Sequence, residues 1–217
     1  MSHGDETRID PAKPEDKLVL RGGISGGTSV SMQRRMFDSR FARRYFVGLG
    51  IDVGGGPDSL ALFAELFPLI RNVVTYDTPQ GDAQKLANVG DGSFDFLFSS
   101  NCLEHLDDPA EALSNWIRVV RPGGHLVVTV PDEDLYEQGV WPSTYNPHHK
   151  ATFTICKKAS WSPASINLFD LIGPFCHLVK PLGIATLDHA YRYQLPRFDQ
   201  SNTPLTESAI EFILKKL

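Results

Sequence analysis

Apolar positions along the chain gather in short runs separated by polar stretches, and several of the intervals carry helical periodicity. Runs rich in β-branched and aromatic residues, "GIDVGG", "NVVTYD" (72–77), "FDFLFSS" (94–100) and "HLVVTVP" (125–131), read as buried strands. Leu60, Phe63, Ala64, Phe67 and Ile70 recur at helical spacing, with Pro57 in the first turn and Pro68 stopping the helix near Phe67. The stretch "LDDPAEALSNWIRVVRPGG" is a more fully punctuated helix. Asp108 caps it, Pro109 opens it, Glu111 completes a capping pattern, and Gly123-Gly124 end it. Leu113, Trp116, Ile117 and Val120 form its buried stripe. Helices are also expected over 31–47 and within "SPASINLFDLI", the latter capped by Ser162 with Pro163 behind it. "HLVKPLGIATLDHAYRYQL" reads as a final pair of strands. Residues 204–217 read as an amphipathic C-terminal helix with Leu205, Ala209, Phe212 and Ile213 on one face.

Strands alternating with helices predict an α/β fold, a Rossmann-like, doubly wound and mostly parallel sheet of about six to seven strands. One edge strand or helix should be reduced. Only four residues separate Asp77 from Asp82, whereas a parallel crossover needs about a dozen. Ligands of such sheets bind beyond the carboxyl ends of the strands, where Asp52–Gly56, Asp77, Ser99–His105 and Pro131–Asp134 should converge. Residues 1–30 form a flexible polar and glycine-rich arm in this reading, and 31–217 a single domain. Within it, 132–162 is an insertion on the acceptor side.

Composition narrows the class. A chain of 217 residues, 41% hydrophobic and 22% charged, buries a full core and is not disordered. A net charge of −5 supplies no drive toward nucleic acid or an anionic membrane. Arg34, Arg35, Arg40, Arg43 and Arg44 in "QRRMFDSRFARRYF" read as a solvated helix face, with RNA or an anionic ligand as the sharper alternative. Cys102, Cys156 and Cys176 form no CxxC pair, which fits a reducing compartment. No apolar run reaches the roughly 18 residues of a spanning helix, and "MSHGDETRIDPAKPEDK" lacks a secretory apolar core. The expectation is a soluble, cytoplasmic protein with no membrane partner. Its C-terminal face packs on its own domain, with a homodimer contact left open.

The stretch "GLGIDVGGGPDSLALF" (48–63) has the build of a nucleotide pocket, yet it fits neither common fingerprint fully. G-x-G-x-x-G finds Ser59 at its last position, and D-x-G-x-G-x-G finds Asp58. Asp52 weighs most here. A carboxylate just ahead of the loop would repel a pyrophosphate and suit a ligand with a cationic end, such as S-adenosylmethionine. Taken together, "IDVGGGP", "VVTYD", "GDAQKL", "GSFDFLFSSNCLEHL" and "RPGGHLVVTVP" resemble the class I S-adenosylmethionine-dependent methyltransferases, in order and in spacing. More narrowly, they resemble the broad methyltransferase-11-like group with a short connection. The resemblance covers roughly residues 48–135.

That resemblance implies S-adenosylmethionine as cofactor and methyl transfer as the reaction. It implies that Gly54, Gly55 and Gly56 let the backbone approach the cofactor, with Asp52 near the amino acid end. Asp77, with Thr78 beside it, would take the ribose hydroxyls. Asp82 and Ala83 would meet the adenine, with Leu86 near the ring, and Ser99, Asn101 and Leu103 would line the cofactor after the fourth strand. The chain departs from the pattern at Asp58, which stands where the last glycine is expected, and in the compact "TPQGDAQKL" connection. Short-connection relatives that act on sugars or polysaccharide precursors look similar in this last respect.

An oxygen acceptor must lose a proton, and a neutral histidine is the natural base near pH 7. The candidates are His105, His148 and His149, with Asp132 next. Tyr136, Trp141 and Tyr145 could stack on a sugar or aromatic ring. No histidine or cysteine spacing suggests a metal, so none is expected. The reading is methyl transfer to a small-molecule or carbohydrate-like acceptor, at oxygen. The alternatives are an RNA methyltransferase, a silent binding protein on the same fold, and an NAD oxidoreductase, which Asp52 disfavours.

Overall fold

The runs read as strands form β1 (Gly48–Val53), β2 (Ile70–Tyr76), β3 (Phe94–Ser100) and β4 (Val120–Pro131) in a computed structural model that describes residues 26–217. Most of the expected N-terminal arm, residues 1–25, lies outside the described residues. Two short strands, β5 (Thr152–Thr154) and β6 (Ser165–Asn167), pair in parallel apart from the main sheet. Then come β7 (Val179–Leu187) and β8 (Ala209–Lys216). The main sheet has six strands in the order β2-β1-β3-β4-β8-β7. The first four run parallel, and β8 is antiparallel to both its neighbours.

Side-chain alternation along the strands feeds two cores. From β3, Phe96 and Phe98 join Met32, Phe41, Phe46 and Phe67 on one side of the sheet. Leu97 points the other way, with Val128, Val130, Leu113, Trp116 and Ile117. Helix α1 (Gly27–Phe37) covers the first face, and α2 (Pro109–Val119) and the short α3 (Leu168–Ile172) belong to the second. The α/β expectation, with six strands and one reduced edge, therefore stands. Residues 77–93 hold turns and neither strand nor helix, so β2 is the sheet's edge and is half exposed rather than buried.

Five local expectations need correction. The helix expected over 31–47 starts at Gly27 and ends at Phe37, and a single π-helical turn follows at Phe41–Tyr45. The helix after the glycine loop is replaced by 3-10 turns at Gly56–Asp58 and Leu60–Leu66. Ser59 is held extended between them by Asp52 Oδ2, which accepts from Ser59 Oγ (2.8 Å) and Leu60 N (2.6 Å). Asp108 caps α2 as expected, but its own N–H donates to Gln84 Oε1 (2.9 Å), leaving Glu111 to pair with Gln84 Nε2. "SPASINLFDLI" opens with β6, and Asn167 caps α3 in place of Ser162. Only one strand, β7, comes from the expected pair.

The largest correction is at the C-terminus. The expected helix over 204–217 is strand β8, inserted between β4 and β7. Its residues are buried on both faces, with Ile210, Phe212 and Leu214 on one side and Ile213 on the other. Of the apolar face offered for a homodimer, Ala209, Phe212 and Ile213 are therefore interior, while Leu205 is exposed. The arginine-rich face is also not solvated throughout. Arg34 binds Glu207 and Glu211, and Arg35 is fully buried with Glu211 Oε2 at 2.7 Å. This staple fixes α1 over the sheet. Among the described residues, no helix is long and apolar enough to cross a membrane.

Candidate active site

The glycine loop ends β1 because the chain must turn sharply between two strands. Gly54 takes φ +79°, and a Cβ there would stand 2.5 Å from Cys102 Cβ. A cavity of about 520 Å³ opens above this loop at the carboxyl ends of the strands. Gly54, Gly55, Pro57 and Asp58 form one wall, and the first turn of α1 closes over them at Gly26–Thr28. Asp58 Oδ2 accepts from Ser29 N (3.0 Å), which ties α1 to the loop. Asp58 Oδ1 has no partner.

Asp52 sits behind this wall. It is fully buried, its Oδ1 has no partner, and it does not line the cavity. Burial raises its carboxyl from 3.8 to about 7, against the opposing hydrogen bonds from Leu60 and Ser59. Of the two acids at the glycine loop, Asp58 and not Asp52 lines the cavity. A folded-state pKa above the unfolded one gives a signed pH effect. The folded protein holds this proton after the unfolded chain has released it, so the contribution is full below about pH 4 and lost as pH rises through 7. Denaturant unfolding of the wild type and Asp52→Asn should diverge over that window by a few kcal/mol. Parallel pH profiles would sink the assignment.

The other expected cofactor residues divide. Asn101 lines the cavity in a left-handed conformation (φ +53°), held by its N–H to Thr129 O (2.9 Å). Asp77 ends β2, and its Oδ2 would stand 3.0 Å from a Cβ on Gly56, so it flanks the loop. Its Oδ1 accepts from Thr78 N (2.7 Å), and Thr78 is exposed. Ser99 is buried and donates to Val53 O (2.8 Å), and Leu103 is core. Asp82 is exposed and accepts from Gln84 N (2.8 Å). Ala83 packs half-buried beside α2, its carbonyl accepting from Trp116 Nε1 (2.8 Å).

At the far end of the cavity, Glu104, His105 and His149 meet beneath Tyr136, Tyr145 and Asn146. A 3-10 turn after β3 presents Glu104 and His105, and Glu104 O accepts from Lys150 N (2.7 Å) and Ala151 N (3.2 Å). That pairing brings His149 to the same spot, and the carbonyl of its neighbour His148, 43 residues from His105, meets His105 Nδ1 (3.1 Å). His149 Nδ1 bonds Glu137 Oε1 (2.7 Å). Glu104 is 1% exposed and neither carboxylate oxygen has a hydrogen-bond partner; burial raises its pKa to about 7. The ring of His148 is exposed and does not line the cavity, so it contributes backbone alone. Asp132 Oδ1 accepts from the N–H groups of Asp134 and Leu135, and Asp132 does not line the cavity. Trp141 is not in the lining.

Residues 51–128 match a family described as a methyltransferase domain. A ubiquinone biosynthesis O-methyltransferase of Pseudomonas paraeruginosa is 30% identical over 113 residues, 52% of this chain and 44% of that protein. The chain thus spans less than half the length of this curated relative. A methyltransferase structure from Archaeoglobus fulgidus, titled as S-adenosylmethionine-dependent, superposes with a TM-score of 0.55 at 15% identity, covering 88% and 95% of the two chains. Geranyl diphosphate methyltransferase, solved with its substrate and sinefungin, gives 0.54 at 10%, covering 86% and 77%. Residues 51–128 therefore resemble a methyltransferase domain, and the fold is shared with solved S-adenosylmethionine-dependent methyltransferases.

Gly54, Gly55 and Asn101 line the cavity, and Asp77 flanks the loop beside it. What sequence reasoning missed is largely a matter of partners. Glu104 and Glu137 gave no signal beyond the adjacent Glu-His of "LEHL", because burial without a partner is invisible in sequence. Asp199, Ser201, Asn202 and Glu207, from the segment before β8, also line the cavity.

Proposed function

We propose that this methyltransferase methylates an oxygen of a small, hydroxyl-bearing acceptor, carbohydrate-like or phenolic, in the cytoplasm. One observation carries the reading: a single cavity joins the glycine loop at one end to the Glu104–His105–His149 cluster at the other. The cofactor supplies a sulfonium methyl; as the new O–C bond forms, the C–S bond breaks with its electron pair left on sulfur, and the acceptor's proton must go. Gly54, Gly55 and Gly56 let the backbone come close to the cofactor, and Asp77 accepts from the ribose hydroxyls. Asp58 faces the methionine ammonium with its unpartnered oxygen. Tyr136 and Tyr145 wall the acceptor, and Asn146, Asp199 and Asn202 offer it polar partners. Holding the acceptor in line can contribute about 7–11 kcal/mol.

The O-methylating name of the curated relatives supports oxygen as the acceptor atom. The ion pairing of Arg34 and Arg35 weighs against RNA, since neither guanidinium is free for phosphate. The three unpaired cysteines support a reducing compartment. The test is mass spectrometry with a deuterated-methyl cofactor and a panel of polyols, sugars and phenols. An O-methyl ether is expected; transfer solely to nitrogen or RNA would overturn the reading. Asp77→Ala should weaken binding of S-adenosylmethionine roughly 10–100-fold, the worth of a hydrogen bond to a charged group. Calorimetry showing wild-type affinity would refute the ribose assignment.

A further inference from the structure

The cluster at the acceptor end has a chemistry that a general base alone does not explain. His105 Nδ1 faces a carbonyl oxygen, which can only accept, so Nδ1 carries the ring proton. His149 Nδ1 faces the Glu137 carboxylate at 2.7 Å and is likewise the donor. Both Nε2 atoms are then left with lone pairs. Both point at Glu104 Oε1, at 3.8 Å from His105 and 3.9 Å from His149. These separations are too long for a shared proton. Three electron-pair donors therefore converge from two buried residues and one half-buried one.

We propose that Glu104, His105 and His149 bind a divalent transition-metal ion of the zinc type. The inference deepens the methyl-transfer reading and rests on it for the ion's role. The ligand atoms lie within 4.8 Å of one another. Atoms about 2.1 Å from a tetrahedral ion stand about 3.4 Å apart, so a small closing rotation of the side chains completes the site. Glu104 is 1% exposed and its carboxylate has no hydrogen-bond partner, which costs free energy unless a ligand fills the gap. The outer contacts are those a metal site uses: one ligating imidazole is oriented by a carboxylate, the other by a backbone carbonyl. Glu137 is a positioning residue here, holding the tautomer of His149.

Two imidazoles and one carboxylate leave a coordination position open toward the cavity. An acceptor hydroxyl in that position would have its pKa lowered by the cation, the proton passing to water. This revises the expectation that no metal is involved. That expectation rested on spacing along the chain, and His149 comes from a different segment than Glu104 and His105.

The test uses the untagged full chain, stripped with a chelator and titrated with Co²⁺. One equivalent should bind, with visible ligand-field absorption, and Zn²⁺ should displace it. Glu104→Gln and His149→Ala should each weaken Co²⁺ binding on the order of 100-fold, and Glu137→Gln about 10–100-fold. Affinity for S-adenosylmethionine should stay within about 2-fold in all three, which also reports that they fold. His105→Ala, at a half-exposed ligand, provides a variant with less risk to folding. Absence of a stoichiometric Co²⁺ spectrum, or wild-type affinity in both Glu104→Gln and His149→Ala, would overturn the site. A chain that binds S-adenosylmethionine but no cation loses this inference alone. One that binds the cation but not S-adenosylmethionine loses the methyl-transfer reading instead.

Discussion

Glu211→Leu is expected to lower unfolding stability by about 3–5 kcal/mol, the usual cost of removing one partner from a buried ion pair. The reason is the company Glu211 keeps. Its Oε2 lies 2.7 Å from Arg35 Nη2, and its Oε1 lies 3.0 Å from Arg34 Nη1. Arg34 would keep Glu207, but Arg35 is wholly buried and would keep just the hydroxyls of Ser31 (3.0 Å) and Thr129 (3.3 Å). Its guanidinium also lies 5.0 Å from the Phe41 centroid and 4.7 Å from that of Phe98, and ring faces do not replace a carboxylate. The double variant Arg35→Met with Glu211→Leu should recover most of the loss, because the uncompensated charge leaves together with its partner. Denaturant titration of the two single variants and the double checks this. A single variant within 1 kcal/mol of wild type, or a double no better than the sum, would show that the staple is incidental. The consequence reaches the site, since the first turn of α1 forms the cavity's roof at Gly26–Thr28. Glu211→Leu should therefore also weaken cofactor binding.

The same staple shows what could and could not be read from sequence. β1, β3 and β4 were legible because parallel strands covered on both faces read as continuous apolar runs, whereas β2 was legible as a strand but not as a half-exposed edge. β8 is also covered on both faces, yet its Ala209, Phe212 and Ile213 fit a helical spacing equally well. What decides for a strand is the gap between β4 and β7, which lies outside any local window. The arginines were misread for a related reason: their partners Glu207 and Glu211 lie about 170 positions away, at separations of 173 and 177. The placement of Gly54, Gly55 and Asn101 on the cavity, with Asp77 beside the loop, was legible because a sharp turn and a strand end constrain residue type. Asp52 lies buried behind the loop and off the cavity, which was not legible because a carboxylate before a glycine loop looks the same in sequence whether it faces the ligand or the loop's underside. His105 and His149 were legible as candidates, but Glu104 and the group as a whole were not, because a backbone pairing between 104 and 150–151 assembles it.

Gly54→Ala should abolish measurable binding of S-adenosylmethionine, and it should do so through two separate effects. Gly54 stands at φ +79°, where an L-residue costs about 1–2 kcal/mol. Its new Cβ would also lie 2.5 Å from Cys102 Cβ and 2.6 Å from Cys102 Sγ, and overpacking of this kind costs about 1–3 kcal/mol. Cys102 cannot simply retreat, because it is buried and directly precedes the turn that presents Glu104 and His105. The loop must then move, and it moves at the point where the proposed reading brings its backbone to the cofactor. Gly56→Ala separates the two effects. Gly56 also has a positive φ, +46°, but the nearest atom to its Cβ would be Asp77 Oδ2 at 3.0 Å, the end of an adjustable side chain. It should therefore fold nearly as well as wild type and lose affinity only modestly. Calorimetry and thermal melts on both variants give the comparison. Equal losses for the two would mean that left-handed strain alone governs the loop, whereas the expected order, Gly54→Ala far worse, makes contact with Cys102 the link between cofactor loop and acceptor end.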